Sequence, residues 1–325
     1  MKAAYIHAPG PAETILYGEL PEPEPRAGQV LVQVEAVAVD HIDTYIRSGA
    51  YPLALPDPFI IGRDLVGRVV AKGKGCLQHE VGDRVWANNQ GYDGRQGSFA
   101  ELLAIDEVWL SPVPEGLEST EVVAQLHSLL TVCAGLLNKA HPRGGESVFL
   151  RGAGEVGLTA LRVARALGCR VGITAGSEEK ERQAREAGAD AVVRYREQDL
   201  GEAIKDFAPD GVDIFWDLTP QPDLSLAVEL SARRGRLLLA SGLAHTAALP
   251  IGPFYTRNLT LHGFTVTDLS HPELMECALQ INRLLPSLKV DTPQILPLSE
   301  AARAHKMLED GSAGGKLVLV PEAAL

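Results

Sequence analysis

The stretch Ser147 to Lys180, S-V-F-L-R-G-A-G-E-V-G-L-T-A-L-R-V-A-R-A-L-G-C-R-V-G-I-T-A-G-S-E-E-K, constrains the fold of this chain more than any other. Ser147 to Arg151 is a short apolar run, the mark of a buried parallel strand. Gly152-Ala-Gly154-Glu-Val-Gly157 then turns the chain. Val156, Ala160, Leu161, Val163, Ala164 and Leu167 follow at helical spacing, Gly168 closes the helix, and Cys169 to Ala175 reads as a second strand. A strand–turn–helix–strand context converts a weak G-x-G-x-x-G match into a dinucleotide fingerprint. Gly152 permits the tight turn, Gly154 lets backbone approach a pyrophosphate, and Gly157 lets helix pack on strand. The N–H groups at the helix start, at Glu155 and Val156, with the helix dipole, favour the phosphates. The competing reading is a glycine-rich turn that holds nothing.

The tip of the second strand says which dinucleotide. A site for NAD usually carries Asp or Glu about 20 residues beyond the glycines, on the ribose 2′-hydroxyl. Here the strand ends Thr174-Ala175-Gly176-Ser177, without a carboxylate, and Lys180 lies one helical turn on. A hydroxyl and an ammonium suit a 2′-phosphate, so NADPH is the expected cofactor. Glu178 and Glu179 fit the first turn of the next helix, where negative charge suits the dipole.

With 325 residues the chain has room for two domains. A net charge of −12 argues against nucleic acid and against an anionic membrane surface. Cys76, Cys133, Cys169 and Cys277 are scattered with no C-x-x-C pair, which fits reduced thiols in a cytoplasm. Gln125, His127 and Ser128 interrupt the most apolar run, so no membrane span is expected. Met1-Lys2-Ala-Ala-Tyr-Ile enters strand-like sequence directly, without the apolar region of a signal peptide.

Residues 1–120 read as β-rich, with strands at Gln29–Ala38, Leu65–Ala71 and Arg84–Ala87. Asn88 to Ser98 is polar with three glycines, and reads as an exposed, mobile loop. Glu121–Asn138 reads as a long apolar helix. Beyond it, strands at Ala191–Tyr195, Val212–Leu218 and Arg236–Ser241 alternate with helices at Gly176–Gly188, Leu200–Phe207 and Leu224–Arg233. That alternation predicts a parallel, doubly wound sheet closed by Leu259–Val266. A helix near Pro272–Leu285 and a strand at Lys316–Val320 then return to the first domain.

On these residues the chain resembles the medium-chain dehydrogenase/reductase superfamily, and within it the zinc-free quinone oxidoreductase and zeta-crystallin branch. The landmarks are Asp43-Thr-Tyr-Ile-Arg-Ser-Gly49-Ala-Tyr51, Gly62-Arg-Asp-Leu-Val-Gly67, Val81-Gly-Asp-Arg-Val85, the glycine fingerprint, Tyr195-Arg-Glu and Gly311 to Lys316. The resemblance implies an α/β protein with a GroES-like β-rich catalytic domain (1–121 and 267–325) split around a Rossmann domain (122–266). It implies NADPH in the cleft between them, and a homodimer through the Rossmann sheet edge near Leu259–Val266. Lys180 and Tyr195 stand in the contexts that hold the 2′-phosphate in such relatives, although Tyr195 also reads as an aromatic covering the end of a strand. Thr131, Ser241, Gly242, Phe264, Val266 and Lys316 carry over as further cofactor contacts, and His41 stands where relatives touch the pyrophosphate.

Two departures stand out. The fingerprint reads G-A-G-E-V-G where the branch has A-x-x-G-G-V-G, which sets Glu155 near the expected pyrophosphate. Asp40 and His41 replace an Asn and an aromatic. The positions of the catalytic zinc ligands in metal-dependent relatives carry Asp40, Arg63 and His127 here. Arginine offers no lone pair, so no metal is expected. His127 then reads as a core histidine, and Arg63 as either an ion-pair partner of Asp40 or a substrate contact. The resemblance implies hydride transfer to an electron-poor acceptor, a quinone or a conjugated enone, in a pocket lined by Asp40, Tyr45, Tyr51 and Arg63. An alkenal or enoyl reductase, or a crystallin-like NADPH-binding protein with little turnover, are the alternatives.

Overall fold

The computed structural model describes residues 1–288 and 292–322. Among them the chain forms two compact units, Met1–His127 with Asn282–Leu325, and Ser128–Ile281.

The first unit is organised by the strand Gln29–Val39, whose sequence Q-V-L-V-Q-V-E-A-V-A-V alternates before becoming continuously apolar. The burial follows: outward residues such as Gln33 and Glu35 alternate with buried Val30, Val32 and Val34, and the last four residues are all buried. Leu65–Lys72 pairs with it antiparallel through two register shifts, and Arg84–Ala87 pairs with that strand in turn. The far side of Gln29–Val39 takes Leu317–Val320, with Leu317 opposite Val39. Valine, isoleucine and leucine from these strands make one core with Phe59, Phe99 and the helix Ala301–Glu309.

The second unit is a six-stranded parallel sheet among the described residues. Its order is Ala191–Arg194, Arg170–Ala175, Ser147–Arg151, Val212–Asp217, Ser231–Leu239, Thr260–Gly263. Both faces of the central strand Ser147–Arg151 are covered, which is why it reads as an unbroken apolar run. Strand order reverses direction between Ser147–Arg151 and Val212–Asp217, the topological switch point of a doubly wound sheet. Helices start on side-chain caps: Ser177 accepts from the Lys180 N–H, Asp199 from Glu202, Asp223 from Leu226.

Two expectations are corrected. The segment Asn88–Ser98 is not an exposed loop, because Asn88, Asn89, Gln90, Gly91, Gly97 and Ser98 are buried. Its polar backbone is satisfied internally: Gly97 N–H donates to Ile60 O at 2.8 Å, and the Gln96 side chain accepts from Ile60 N–H at 2.7 Å. A Cβ at Gly97 would lie 2.4 Å from the Ile60 and Ile61 backbone and one at Gly91 2.8 Å from Gly62 O, so these two glycines serve close packing. The second correction concerns the apolar helix. Ser119–Ala140 spans 22 residues at a mean hydropathy of 1.4, long and apolar enough to cross a membrane, yet 78% of its apolar window is buried inside the fold. Gln125, His127 and Ser128 do not shorten it; it is a core helix. Its last eight residues, Cys133–Ala140, are π-helical.

His305, on Ala301–Glu309, is fully buried against Phe99 at a centroid distance of 5.9 Å, and neither ring nitrogen has a hydrogen-bond partner. Burial, aided by nearby Arg47, lowers its pKa from 6.5 to about 3. Between those values the unfolded chain takes up a proton that the folded chain refuses, so stability falls as pH drops from 6.5 toward 3. His305→Leu should flatten that limb by up to about 1.4 kcal/mol per pH unit. It should also add about 1–3 kcal/mol at neutral pH by removing unsatisfied buried groups. Urea melts of both proteins across the acid range check this.

Candidate functional site

In the second unit, the fingerprint turn follows Ser147–Arg151 and the helix Glu155–Ala166 begins at once. Gly152 has φ +129°, a conformation that side chains rarely adopt. A Cβ on Gly157 would sit 1.9 Å from the Gly152 carbonyl oxygen, so helix and strand approach at backbone distance. A Cβ on Gly154 would meet nothing within 4 Å. The turn therefore presents an open, side-chain-free face ahead of a helix start, with Glu155 exposed beside it.

Other residues expected to touch cofactor lie past the carboxyl ends of the same parallel strands: Ser177, Tyr195, Ser241, Gly242, Phe264 and Val266. Ser177 caps Glu178–Glu186 through the Lys180 N–H at 3.3 Å, and the Lys180 ammonium reaches Gln183 at 3.0 Å. Tyr195, 47% exposed, covers Gly176, where an added Cβ would lie 2.8 Å from its hydroxyl. Glu179 is held by Arg182 and Gln183 on its own helix, which accounts for one of the two carboxylates near the strand tip. Arg196 lies 5.7 Å from the Tyr195 ring and adds a cation that the sequence reading passed over, although Tyr195-Arg196-Glu197 was already a landmark. Ser241 donates to Asp217 O at 3.1 Å, and Gly242, at φ +84°, packs on Pro222. Phe264 lies against Trp216, its ring tilted 56° at a centroid distance of 5.9 Å, and fills the space over Gly135. Thr131 is buried in the apolar helix.

In the first unit, a charged cluster forms where Gln29–Val39 ends. Asp40 begins the helix His41–Ser48, and its N–H donates to the Asp43 carboxylate at 2.8 Å. Lys316 bonds its ammonium to Asp40, both side chains being nearly buried. Arg63 and Asp64 are 1% exposed, and neither terminal nitrogen of Arg63 nor either oxygen of Asp64 has a hydrogen-bond partner. The Asp40–Arg63 pair considered from sequence is therefore replaced by Asp40–Lys316. Burial works against the Asp40 carboxylate, but Lys316, His127 and Arg63 outweigh it and its pKa falls. Burial, reinforced by the Asp40 charge, pushes Asp43 up to about 8 and Asp64 well above the carboxylate range. Burial also lowers His127 to about 4, leaving its imidazole neutral at neutral pH. Tyr51 packs against the core and Tyr45 is 46% exposed; His41 is exposed at the helix start.

Donor atoms of Asp40, Asp64 and His127 lie within 4.8 Å of one another, an arrangement able to hold a metal ion. The sequence reading put Arg63 at the third ligand position; the structure puts Asp64 there. The missed signal was the neighbouring carboxylate in Gly62-Arg63-Asp64. Two cations, Lys316 and Arg63, share this cluster.

Residues 26–115 match the family profile described as alcohol dehydrogenase GroES-like domain, and residues 156–281 the one described as zinc-binding dehydrogenase. Quinone oxidoreductase of Rattus norvegicus is 30% identical over 318 residues, covering 96% of this chain and 94% of that protein. Quinone oxidoreductase 1 of Escherichia coli is 31% identical over 331 residues, covering 97% and 98%. The chain belongs to the medium-chain dehydrogenase/reductase superfamily, in its quinone oxidoreductase branch. The crystal structure of Escherichia coli quinone oxidoreductase complexed with NADPH superposes at a TM-score of 0.86, with 27% identity over 99% of this chain and 100% of that one. The split into a GroES-like and a Rossmann-like part, expected from the residues, is what this superfamily folds into.

The fingerprint geometry makes a paired prediction. Gly157→Ala should cost at least about 3 kcal/mol, because its neighbour is backbone and cannot yield. Gly154→Ala, facing open space with ordinary φ, should stay within about 1 kcal/mol of the parent. Chemical denaturation of the two variants measures both.

Proposed function

We propose that this protein is an NADPH-dependent, zinc-independent oxidoreductase that reduces quinones. The observation that carries the reading is the set of groups beyond the carboxyl ends of the parallel strands, where an open glycine turn coexists with Ser177, Lys180 and Tyr195 around a strand tip without a carboxylate.

These residues suit the cofactor chemically. The backbone N–H groups at Glu155 and Val156 would receive the pyrophosphate at the helix start, with the Glu155 carboxylate turned away from it. Ser177, Lys180 and Tyr195 would hold the 2′-phosphate, with Arg196 as a further cation. Bound NADPH supplies the hydride. The acceptor, already electron-poor, needs positioning more than polarisation. Asp40, Tyr45, Tyr51 and Arg63 are the proposed substrate-pocket residues; the guanidinium would donate hydrogen bonds, and a tyrosine hydroxyl or water would deliver the proton that completes the hydroquinone.

Zinc independence is supported by the first unit's charges. Zinc needs three donors and one open position, and here the ammonium of Lys316 already occupies one of the candidate donors. A homodimer is supported by Thr260–Gly263, which ends the sheet with a partly exposed edge. A cytoplasmic setting is supported by four buried, unbridged cysteines.

The test is oxidation of NADPH and of NADH over quinones, conjugated enals and simple ketones, with and without a chelator. NADPH-preferring, chelator-resistant quinone turnover is expected. Preference for enals moves the assignment to an activated-alkene reductase, and binding without turnover to a crystallin-like protein. Chelator-sensitive ketone turnover overturns zinc independence. Lys180→Ala should raise KM for NADPH about 10- to 100-fold, the worth of one charge-assisted contact, while leaving KM for NADH unchanged.

A further inference from the structure

The carboxylates of Asp40 and Asp64 and the imidazole of His127 form a compact donor set on three separate parts of the chain: a helix start, the approach to Leu65–Lys72, and the long apolar helix. Oxygen and imidazole donors of this kind suit divalent zinc, cobalt or manganese. Ligands about 2.0–2.2 Å from an ion lie within about 4.4 Å of one another. The donors here are all within 4.8 Å, so small side-chain adjustments would close the set. Acceptor capacity is also left over: Asp40 Oδ2 and both oxygens of Asp64 are buried without a hydrogen-bond partner. What the site holds instead is the ammonium of Lys316, on the other oxygen of Asp40.

The placement of that ammonium is built into the backbone. Leu317–Val320 runs antiparallel to Gln29–Val39 with Leu317 opposite Val39, so the residue before Leu317 stands beside the residue after Val39. Lys316 thus meets Asp40 across 276 residues of sequence. The side chain is about 10% exposed, its charge committed to the cluster rather than to solvent.

We propose that the pocket of Asp40, Asp64 and His127 is a cation site that the chain fills with its own Lys316, and that removing this ammonium turns it into a site for a divalent transition metal. The lysine acts as a tethered counter-ion: it supplies positive charge to the Asp40 carboxylate and keeps a metal out by occupying that donor and by repulsion. Arg63, adjacent but with no bond to the carboxylates from its terminal nitrogens, is a bystander charge in this arrangement. This inference rests on the zinc-independent reading but not on which acceptor is reduced.

The test is titration of the full-length wild-type protein, Lys316→Met, Lys316→Gln and the double variant Arg63→Gln/Lys316→Met with cobalt(II). It is read by visible d–d absorption, by calorimetry and by thermal shift, with folding followed by circular dichroism. Wild type should purify without stoichiometric metal and show no cobalt spectrum. The Lys316 variants should bind one cobalt at least about tenfold more tightly than wild type, with a rise in melting temperature, because a repelling charge has gone. Variants that fold only when a divalent ion is present support the proposal equally. Variants that fold yet bind no cobalt, or that no cation restores, overturn it. Binding only in the double variant overturns the assignment to Lys316 and names Arg63 as the excluding charge. Wild type that carries stoichiometric metal sinks this proposal and zinc independence together, whereas metal-blind Lys316 variants beside chelator-resistant wild-type turnover sink this proposal alone.

Discussion

The antiparallel register that sets Leu317 opposite Val39 is the constraint on which the first unit's chemistry depends. It brings the returning end of the chain back onto the strand that organises the first unit's core, and it sets Lys316 beside Asp40. Burying two charges is expensive, and their attraction offsets the loss of water only when geometry is held in advance. Here the ladder holds it: each partner immediately adjoins a strand residue that is itself fully paired and buried. Asp40 is also the residue from which His41–Ser48 departs, and its N–H is tied to Asp43. The ion pair, the helix start and the strand pairing therefore depend on one another, and slipping the register by one residue would separate the two charges.

The second unit solves a different problem with backbone rather than side chains. Its glycine turn depends on the close approach of Gly157 to the Gly152 carbonyl, which no side chain could survive. A helix start seated this closely on its strand directs unpaired N–H groups outward, past the sheet's carboxyl edge. The side chains around Gly176, to which the proposal assigns cofactor selectivity, are locally interlocked. Tyr195 covers that glycine, Ser177 caps the following helix, and Lys180 comes from its first turn. Because the proposed 2′-phosphate contacts include the capping residue Ser177, the proposal couples cofactor preference to where that helix begins.

These differences explain what was legible from sequence. Strands and helices of the second unit fall within a few residues of expectation, since buried parallel strands give unbroken apolar runs and the helices keep their period. The helix read as Leu224–Arg233 stops at Leu230, because Ser231 already pairs with Val212. Local signals carried the glycine turn and the strand tip without a carboxylate. They failed at Asn88–Ser98, where polar, glycine-rich sequence looks solvated but is folded against Ile60 and Ile61. They failed again at Asp64. A motif aligned to its basic residue conceals the carboxylate next to it, and only the fold decides which of two neighbours points at His127. The partnership of Lys316 with Asp40 lies beyond any local rule, since its cause is a strand pairing across most of the chain.

A lysine in place of an ion also bears on the chemistry within reach. A metal ion is a Lewis acid that can polarise an unactivated carbonyl and lower the pKa of bound water. An ammonium held on a carboxylate supplies a fixed charge and hydrogen-bond donors, but no vacant orbital. A scaffold so equipped gains little purchase on simple ketones, whose reduction depends on polarising the carbonyl. It loses nothing with acceptors that are already electron-deficient, for which position and a proton are enough. The proposed preference for activated acceptors and the internal cation would thus share one cause, the ammonium of Lys316 held on Asp40.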